Sequence, residues 1–174
     1  IRPTVECIGD LTQNRHVGIL ATSGTIKSES YLLEIEKLFP DVTVTGEACP
    51  MWVPLVENNE YDSEGADYFV QKHIRQLLAK DPDIDTLILG CTHYPLLIEK
   101  IRQFTPSHIR IVPQGEYVAQ SLQNYFRRHP EMDNRCTKEG TCRFLTTESE
   151  TKFEESASIF LQQEDIHVER IILE

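Results

Sequence analysis

The sequence has 174 residues, with 28 acidic against 17 basic side chains and a net charge of −11. A surface this negative repels phosphate backbones, and the largest basic cluster is the pair Arg127-Arg128, so a nucleic-acid partner is not expected. Apolar residues make up 40% but no run approaches the 18 or so needed to span a bilayer, so the expectation is a water-soluble globular protein with no membrane partner.

Residues 1–15 are mixed and polar and read as a connector ending at Asn14-Arg15. Val17–Ala21 reads as a short buried strand, stopped by Thr22-Ser23-Gly24-Thr25, a turn cluster that also offers helix N-caps. From Ile26 the apolar positions Tyr31, Leu32, Ile35, Leu38 and Phe39 follow helical spacing up to Pro40. This βα unit lacks the Gly-x-Gly-x-x-Gly spacing, so no dinucleotide fingerprint is present. Asp41–Glu47 is β-branched and predicts the next strand. Ala48–Glu57 places two prolines in an apolar decapeptide, which predicts a packed loop with a short turn of helix after Pro54.

Residues 63–79 predict an amphipathic helix capped by Ser63, with Ala66, Phe69, Val70, Ile74, Leu77 and Leu78 facing inward. Asp81-Pro82-Asp83 ends it. Leu87-Ile88-Leu89 is a buried central strand, followed after Gly90-Cys91-Thr92-His93 by a helix to Phe104 and a stop at Thr105-Pro106. Ile109–Val112 predicts a strand, broken by Pro113-Gln114-Gly115, and residues 116–128 a helix. Residues 129–140 are polar and predict a surface loop. Cys142–Thr147 reads as a strand, Ser149 as the cap of a helix over 151–162, and Val168–Leu173 as a closing strand. Alternating strands and helices give an α/β class, with a mostly parallel sheet or sheets covered by helices on both faces.

Cysteine usage bounds the chemistry further. Five scattered cysteines do not make a disulfide framework. Cys136 and Cys142 fit no zinc spacing and are expected as two free thiols in a reducing cytoplasm, with a local disulfide as the alternative. No metal site is expected. The opening Ile1-Arg2-Pro3-Thr4 has neither an initiator Met nor a signal-peptide core and reads as the middle of a longer chain.

Cys91 stands out because ligand crevices of open α/β sheets lie beyond the carboxyl ends of the strands. The thiolate is the reactive form of cysteine, and it is favoured at helix N-termini or beside a protonated histidine. Pro95 suits a first helical turn, and the N–H groups around residues 92–95 favour negative charge, either a thiolate or a substrate carboxylate. The competing reading is a small buried hydrophobe. His93 either assists proton transfer or is structural, and Thr92 either contacts a substrate carboxylate or caps the helix. Thr22 and Thr25 carry the same ambiguity. Cys49 also follows a strand and is a formal partner for Cys91. Trp52, Tyr61 and Tyr68 read as core or interface.

Gly90-Cys91-Thr92-His93-Tyr94-Pro95-Leu96-Leu97 resembles the second catalytic-cysteine motif of the glutamate racemases, within the aspartate/glutamate racemase superfamily. Aspartate racemases typically carry Glu where this chain has His93. Three more segments are similar to the same family. Ala21 to Tyr31 resembles its Gly-Thr-x-Gly-Thr-Ile-x-Ser-x-x-Tyr segment, Ala48 to Glu57 its Ala-Cys-Pro-x-x-Val-Pro-Leu-Val-Glu segment, and Phe144 to Phe160 its closing block. Where members commonly read Val-Asp-Ser-Gly, this chain reads Val112-Pro113-Gln114-Gly115.

The resemblance implies cofactor-independent interconversion of L- and D-glutamate by two cysteines on opposite faces of Cα, supplying D-glutamate for peptidoglycan. Cys91 would be one acid/base, His93 and Glu57 would support it, and Thr92, His93, Thr22 and Thr25 would bind substrate. The family places the partner cysteine in an N-terminal part absent here, which makes Cys49 packing and the fragment alone inactive. It implies one racemase-type α/β domain over 1–112 and, over 113–174, the C-terminal part of a second whose N-terminal half is missing. A homodimer is compatible with it. The alternatives are another superfamily racemase, a single-cysteine decarboxylase, and a non-enzymatic small-molecule binding module with an inert Cys91.

Overall fold

The computed structural model describes residues 1–138, 140–161 and 163–173. They divide into two compact units, Ile1–Arg128 and His129–Glu174. The division expected after residue 112 concerned the domains of a longer protein; within this chain the strand at 110–113 and the helix that follows belong to the first unit.

The first unit is built on four parallel strands, β1 (His16–Ala21), β2 (Thr43–Ala48), β3 (Thr86–Leu89) and β4 (Arg110–Pro113), in the order β2-β1-β3-β4. Burial follows that order. Five of six residues of β1 and all four of β3 are buried, whereas the two edge strands are mostly half-buried or exposed. An apolar run without alternation is what a strand covered on both faces requires. Val17, Ile19, Ala21 and Ile88 pack with α1 (Arg2–Val5), α2 (Ile8–Leu11) and Tyr31 and Ile35 of α4 (Ser30–Leu38). Gly18 points the other way. A Cβ there would lie 2.9 Å from Leu77 Cδ2 and 3.2 Å from Ile84 Cδ1, so α6 (Glu64–Lys80) packs directly on the backbone of β1.

Several expectations are corrected. Residues 1–15 are not a connector: Val5 and Ile8 are fully buried and complete one face of the core. Helices of four residues carry too little periodicity to be read from a pattern. The helix expected from Ile26 to Phe39 is two, α3 (Ser23–Lys27) and α4, because Glu29 adopts a left-handed backbone (φ 53°) between them. The Ser28 hydroxyl competes locally, donating to Thr25 O at 2.9 Å and bonding the Ser30 hydroxyl. In the proline-rich decapeptide, α5 (Trp52–Glu57) begins before Pro54, whose missing N–H falls among the unpaired donors of a first turn. Ser63 caps α6 as expected, accepting from Ala66 N–H at 3.2 Å. Trp52 is fully buried, whereas Tyr68 is 63% exposed and no core residue.

After β4 comes α8 (Gly115–Arg128). In the second unit, the expected loop over 129–140 contains one helical turn, α9 (Pro130–Asp133), and Glu139 lies outside the described residues. Strands β5 (Phe144–Thr146) and β6 (Val168–Arg170) pair in parallel and are shorter than expected. Between them runs α10 (Glu150–Leu161), with Lys152 N–H donating to the Ser149 hydroxyl at 3.3 Å; its expected last residue, Gln162, lies outside the described residues. Glu154 and Glu150 of α10 accept the backbone N–H groups of Val168 and Arg170, and Phe144, Ala157, Ile166 and Val168 form a small apolar cluster. The class is α/β with parallel sheets and helices on both faces of the larger one.

Candidate active site

Parallel strands all point their carboxyl ends the same way, so the turns after β1, β2 and β3 converge. Those turns begin with Thr22, Cys49 and Gly90. Gly90 N–H donates to Leu20 O at 2.8 Å and holds the start of the third turn against β1. A side chain there would crowd its neighbours: a Cβ would lie 2.9 Å from Ala21 Cβ, 3.2 Å from Leu20 O and 3.3 Å from Tyr31 Cε2. Cys91, Thr92 and His93 follow, then a 3-10 turn (Tyr94–Leu97) and α7 (Ile98–Phe104). The regular helix therefore starts later than the sequence suggests, and Pro95 sits in the 3-10 turn.

Cys91 is half-buried. Its Sγ lies 3.8 Å from His93 Nδ1, and His93 Nε2 lies 3.2 Å from Glu57 Oε1 at the end of α5. A carboxylate only accepts, so Glu57 favours the tautomer with the proton on Nε2 and leaves the Nδ1 lone pair toward the sulfur. In that state the ring can take the thiol proton; once doubly protonated it can stabilise a thiolate. Cys91, His93 and Glu57 thus form one contiguous chain of contacts. Thr92 is exposed beside them.

Thr22 and Thr25 lie after β1, which pairs with β3 in the register Leu20↔Leu89. Thr22 caps α3: its Oγ1 accepts from Thr25 N–H at 3.3 Å and lies 3.0 Å from Thr25 Oγ1. Capping accounts for the Thr22 hydroxyl, and the Thr25 hydroxyl is held against it. Cys49 is fully buried; burial first, then the charge of Glu47, pushes its thiol far above the ordinary range, so it stays protonated. Its carbonyl accepts from the Tyr94 hydroxyl at 3.2 Å. Tyr94 is itself fully buried, and desolvation, with smaller contributions from Cys49 and Cys91, keeps it a donor. The Tyr94 and Trp52 rings meet edge to face with centroids 4.7 Å apart.

Two features escape sequence reasoning. Glu47, nearly buried, places Oε1 2.8 Å from Nδ1 of buried His73 and Oε2 2.6 Å from Lys80 Nζ, tying β2 to α6. The only signal for it is a histidine on the inner face of a predicted helix. The second is Gln114, whose side-chain amide donates to Leu89 O at 2.8 Å; the motif departure at 112–115 marks the position but not the contact. Among the described residues, no helix is long and apolar enough to cross a membrane.

The sequence model of the Asp/Glu/Hydantoin racemase family matches residues 3–122. The glutamate racemase of Streptococcus agalactiae (serotype III, strain NEM316) is 38% identical over 165 residues, covering 93% of this chain and 60% of that protein. That of Enterococcus faecalis (strain V583) is 38% identical over 178 residues, covering 99% and 63%. Among solved structures, glutamate racemase isoform RacE1 of Bacillus anthracis superposes with a TM-score of 0.86 at 29% identity, over 99% of this chain and 63% of that one. The Francisella tularensis glutamate racemase, solved with D-glutamate, gives 0.83 at 26%, over 98% and 61%. The chain spans about three-fifths of the length of the curated relatives it matches. With the family match running through β1 to β4 and the Cys91 turn, the chain belongs to the Asp/Glu/hydantoin racemase family.

Proposed function

We propose that this chain is the Cys91-bearing part of a glutamate racemase that needs no cofactor and supplies D-glutamate for peptidoglycan. The observation that carries the reading is the contact chain Cys91–His93–Glu57 at the carboxyl end of β3. Inversion at Cα needs two groups on opposite faces, because a single base returns the proton to the side it came from. In one direction the Cys91 thiolate takes the α-proton and a second thiol donates its own to the far face of the carbanion; in the other direction the roles exchange. His93 receives and returns the Cys91 proton, Glu57 orients the ring, and Thr92, Thr22 and Thr25 hold the substrate.

The second thiol is assigned to residues outside this chain, since Cys49 is sealed in the core. Support for glutamate comes from the relatives' names and from His93, where aspartate racemases typically carry Glu. Placement in the cytoplasm and assembly as a homodimer belong to the same proposal.

The test is Cys91→Ser in a full-length racemase carrying this chain, followed by D-glutamate formation. Turnover is expected to fall by about 10²–10⁴-fold with circular dichroism unchanged. Rates near the parent's overturn the assignment, as does measurable racemisation by residues 1–174 alone.

A further inference from the structure

Gln114 ties three elements together beneath the Cys91 turn. It follows β4 directly and opens α8. Its Nε2 donates to Leu89 O at 2.8 Å, the last carbonyl of β3, and its Oε1 accepts from Thr4 Oγ1 at 3.2 Å in α1. Thr4 is fully buried and Gln114 half-buried, so the bond is partly shielded from water. The parallel ladder between β3 and β4 reaches its end here, with Leu89 registered with Pro113. The side-chain amide of the next residue supplies a donor to the Leu89 carbonyl. Tyr31 closes the third side. Its ring approaches Gly90, and its nearly buried phenol interacts with the Gln114 side chain.

We infer that Gln114 is a positioning residue: by holding the Leu89 carbonyl against β4 and α1, it fixes the Gly90-Cys91 peptide and so the placement of Sγ against His93. The inference rests on the reading of Cys91 as a reactive thiol. An amide is suited to this place because it donates to Leu89 and accepts from Thr4 at once. A serine in its place is too short to reproduce both bonds by the same geometry. The turn is tight enough to transmit the effect, since Gly90 has no room to shift toward β1.

The chain contains its own controls for a test. Cys136 and Cys142 are exposed, Cys49 is fully buried, and Cys7 and Cys91 lie between. Alkylation by iodoacetamide is followed at each cysteine by peptide mass spectrometry, from about pH 6 to 9, in the 174-residue chain. The variants are Gln114→Leu, which removes both bonds, Gln114→Asn, which keeps the amide but shortens its reach, and Thr4→Val, which removes the acceptor's partner. Gln114→Leu is expected to change the Cys91 rate by about tenfold and to alter its pH profile, with Thr4→Val intermediate. Cys49 should stay protected and the exposed pair unchanged. A purely structural role instead exposes Cys49 and accelerates Cys49 and Cys91 together. That outcome overturns the inference, as do parent-like Cys91 profiles in Gln114→Leu. If Gln114→Leu does not fold, Gln114→Asn and Thr4→Val carry the same criteria. A Cys91 inert in the parent chain defeats the underlying reading instead, which keeps the two failures distinct.

Discussion

Replacing Gly90 by alanine adds one methyl group at the junction of sheet and site. The glycine is not in the left-handed region, so alanine adopts its backbone without torsional strain, and the cost is steric alone. The new Cβ would stand 2.9 Å from Ala21 Cβ and 3.2 Å from Leu20 O, both fixed in the central strand, and 3.3 Å from the Tyr31 ring. None is the free end of a flexible chain. Relief requires β3 to withdraw from β1, loosening the Gly90–Leu20 hydrogen bond. Overpacking of this kind costs about 1–3 kcal/mol. For a protein of this size that lowers the melting midpoint by about 2–12 °C.

Trp52 is the chain's only tryptophan and lies fully buried in the first unit, so its fluorescence during urea unfolding reports that unit. Gly24→Ala is the control, because a Cβ there meets nothing within 4 Å inside α3, and helix propensity predicts a neutral or slightly stabilising change. A Gly90→Ala midpoint within about 0.5 kcal/mol of the parent refutes the close-approach argument.

Two further substitutions probe the opposite end of the sheet. Asp85 accepts from Thr12 Oγ1 and Gln13 N–H at 2.7 Å, Asn14 N–H at 2.9 Å and Thr86 Oγ1 at 2.9 Å, pinning the segment before β1 to β3. Burial alone would raise its pKa, but these donors outweigh it, so the carboxyl is held below its usual range and its contribution is lost only as pH falls through that lowered value. Asp85→Ala should cost about 2–3 kcal/mol in urea unfolding at neutral pH; a cost below about 0.5 shows that water replaces the carboxylate.

His16 Nδ1 lies 2.9 Å from Asp81 Oδ2, and this hydrogen bond, followed by the charges of Asp81, Asp83 and Asp85, raises the imidazole above 6.5. A raised histidine stabilises fully below its unfolded pKa and loses that contribution as pH climbs through the folded one. Asp81 is lowered despite its burial, so its share is lost at the acid end. Stability should therefore decline from about pH 6 to 8, and His16→Asn should flatten that slope; an unchanged slope sinks the assignment.

Much of the fold is legible in the sequence because its signals are local. The unbroken apolar strands β1 and β3, the Ser63 cap and the glycine before Cys91 each depend on neighbours a few residues away. The short helices α1 and α2 are not legible, since Val5 and Ile8 become core residues only once α4 and β1 are in place. Nor is the break at Glu29, where serine hydroxyls compete with a backbone whose apolar spacing still reads as one helix. In the site, the turn that carries Cys91 and His93 is visible as chemistry. The meeting of His93 with Glu57 follows only from the resemblance, and the Gln114–Leu89 bond from nothing short of coordinates. Polar contacts across the top of a sheet leave no periodicity behind. Trp52 and Tyr68 illustrate the limit, one fully buried and one mostly exposed although both read as core or interface.

The order β2-β1-β3-β4 also has a consequence for synthesis. β1 leaves the ribosome well before its partner on one side, β3, which emerges about 70 residues later, and at ordinary elongation rates that is a wait on the order of 3–14 s. Throughout that interval Val17–Ala21 offers an open, apolar edge to any other nascent chain. Expression yield should therefore respond more to translation speed and to holdase chaperones than the finished protein's stability suggests.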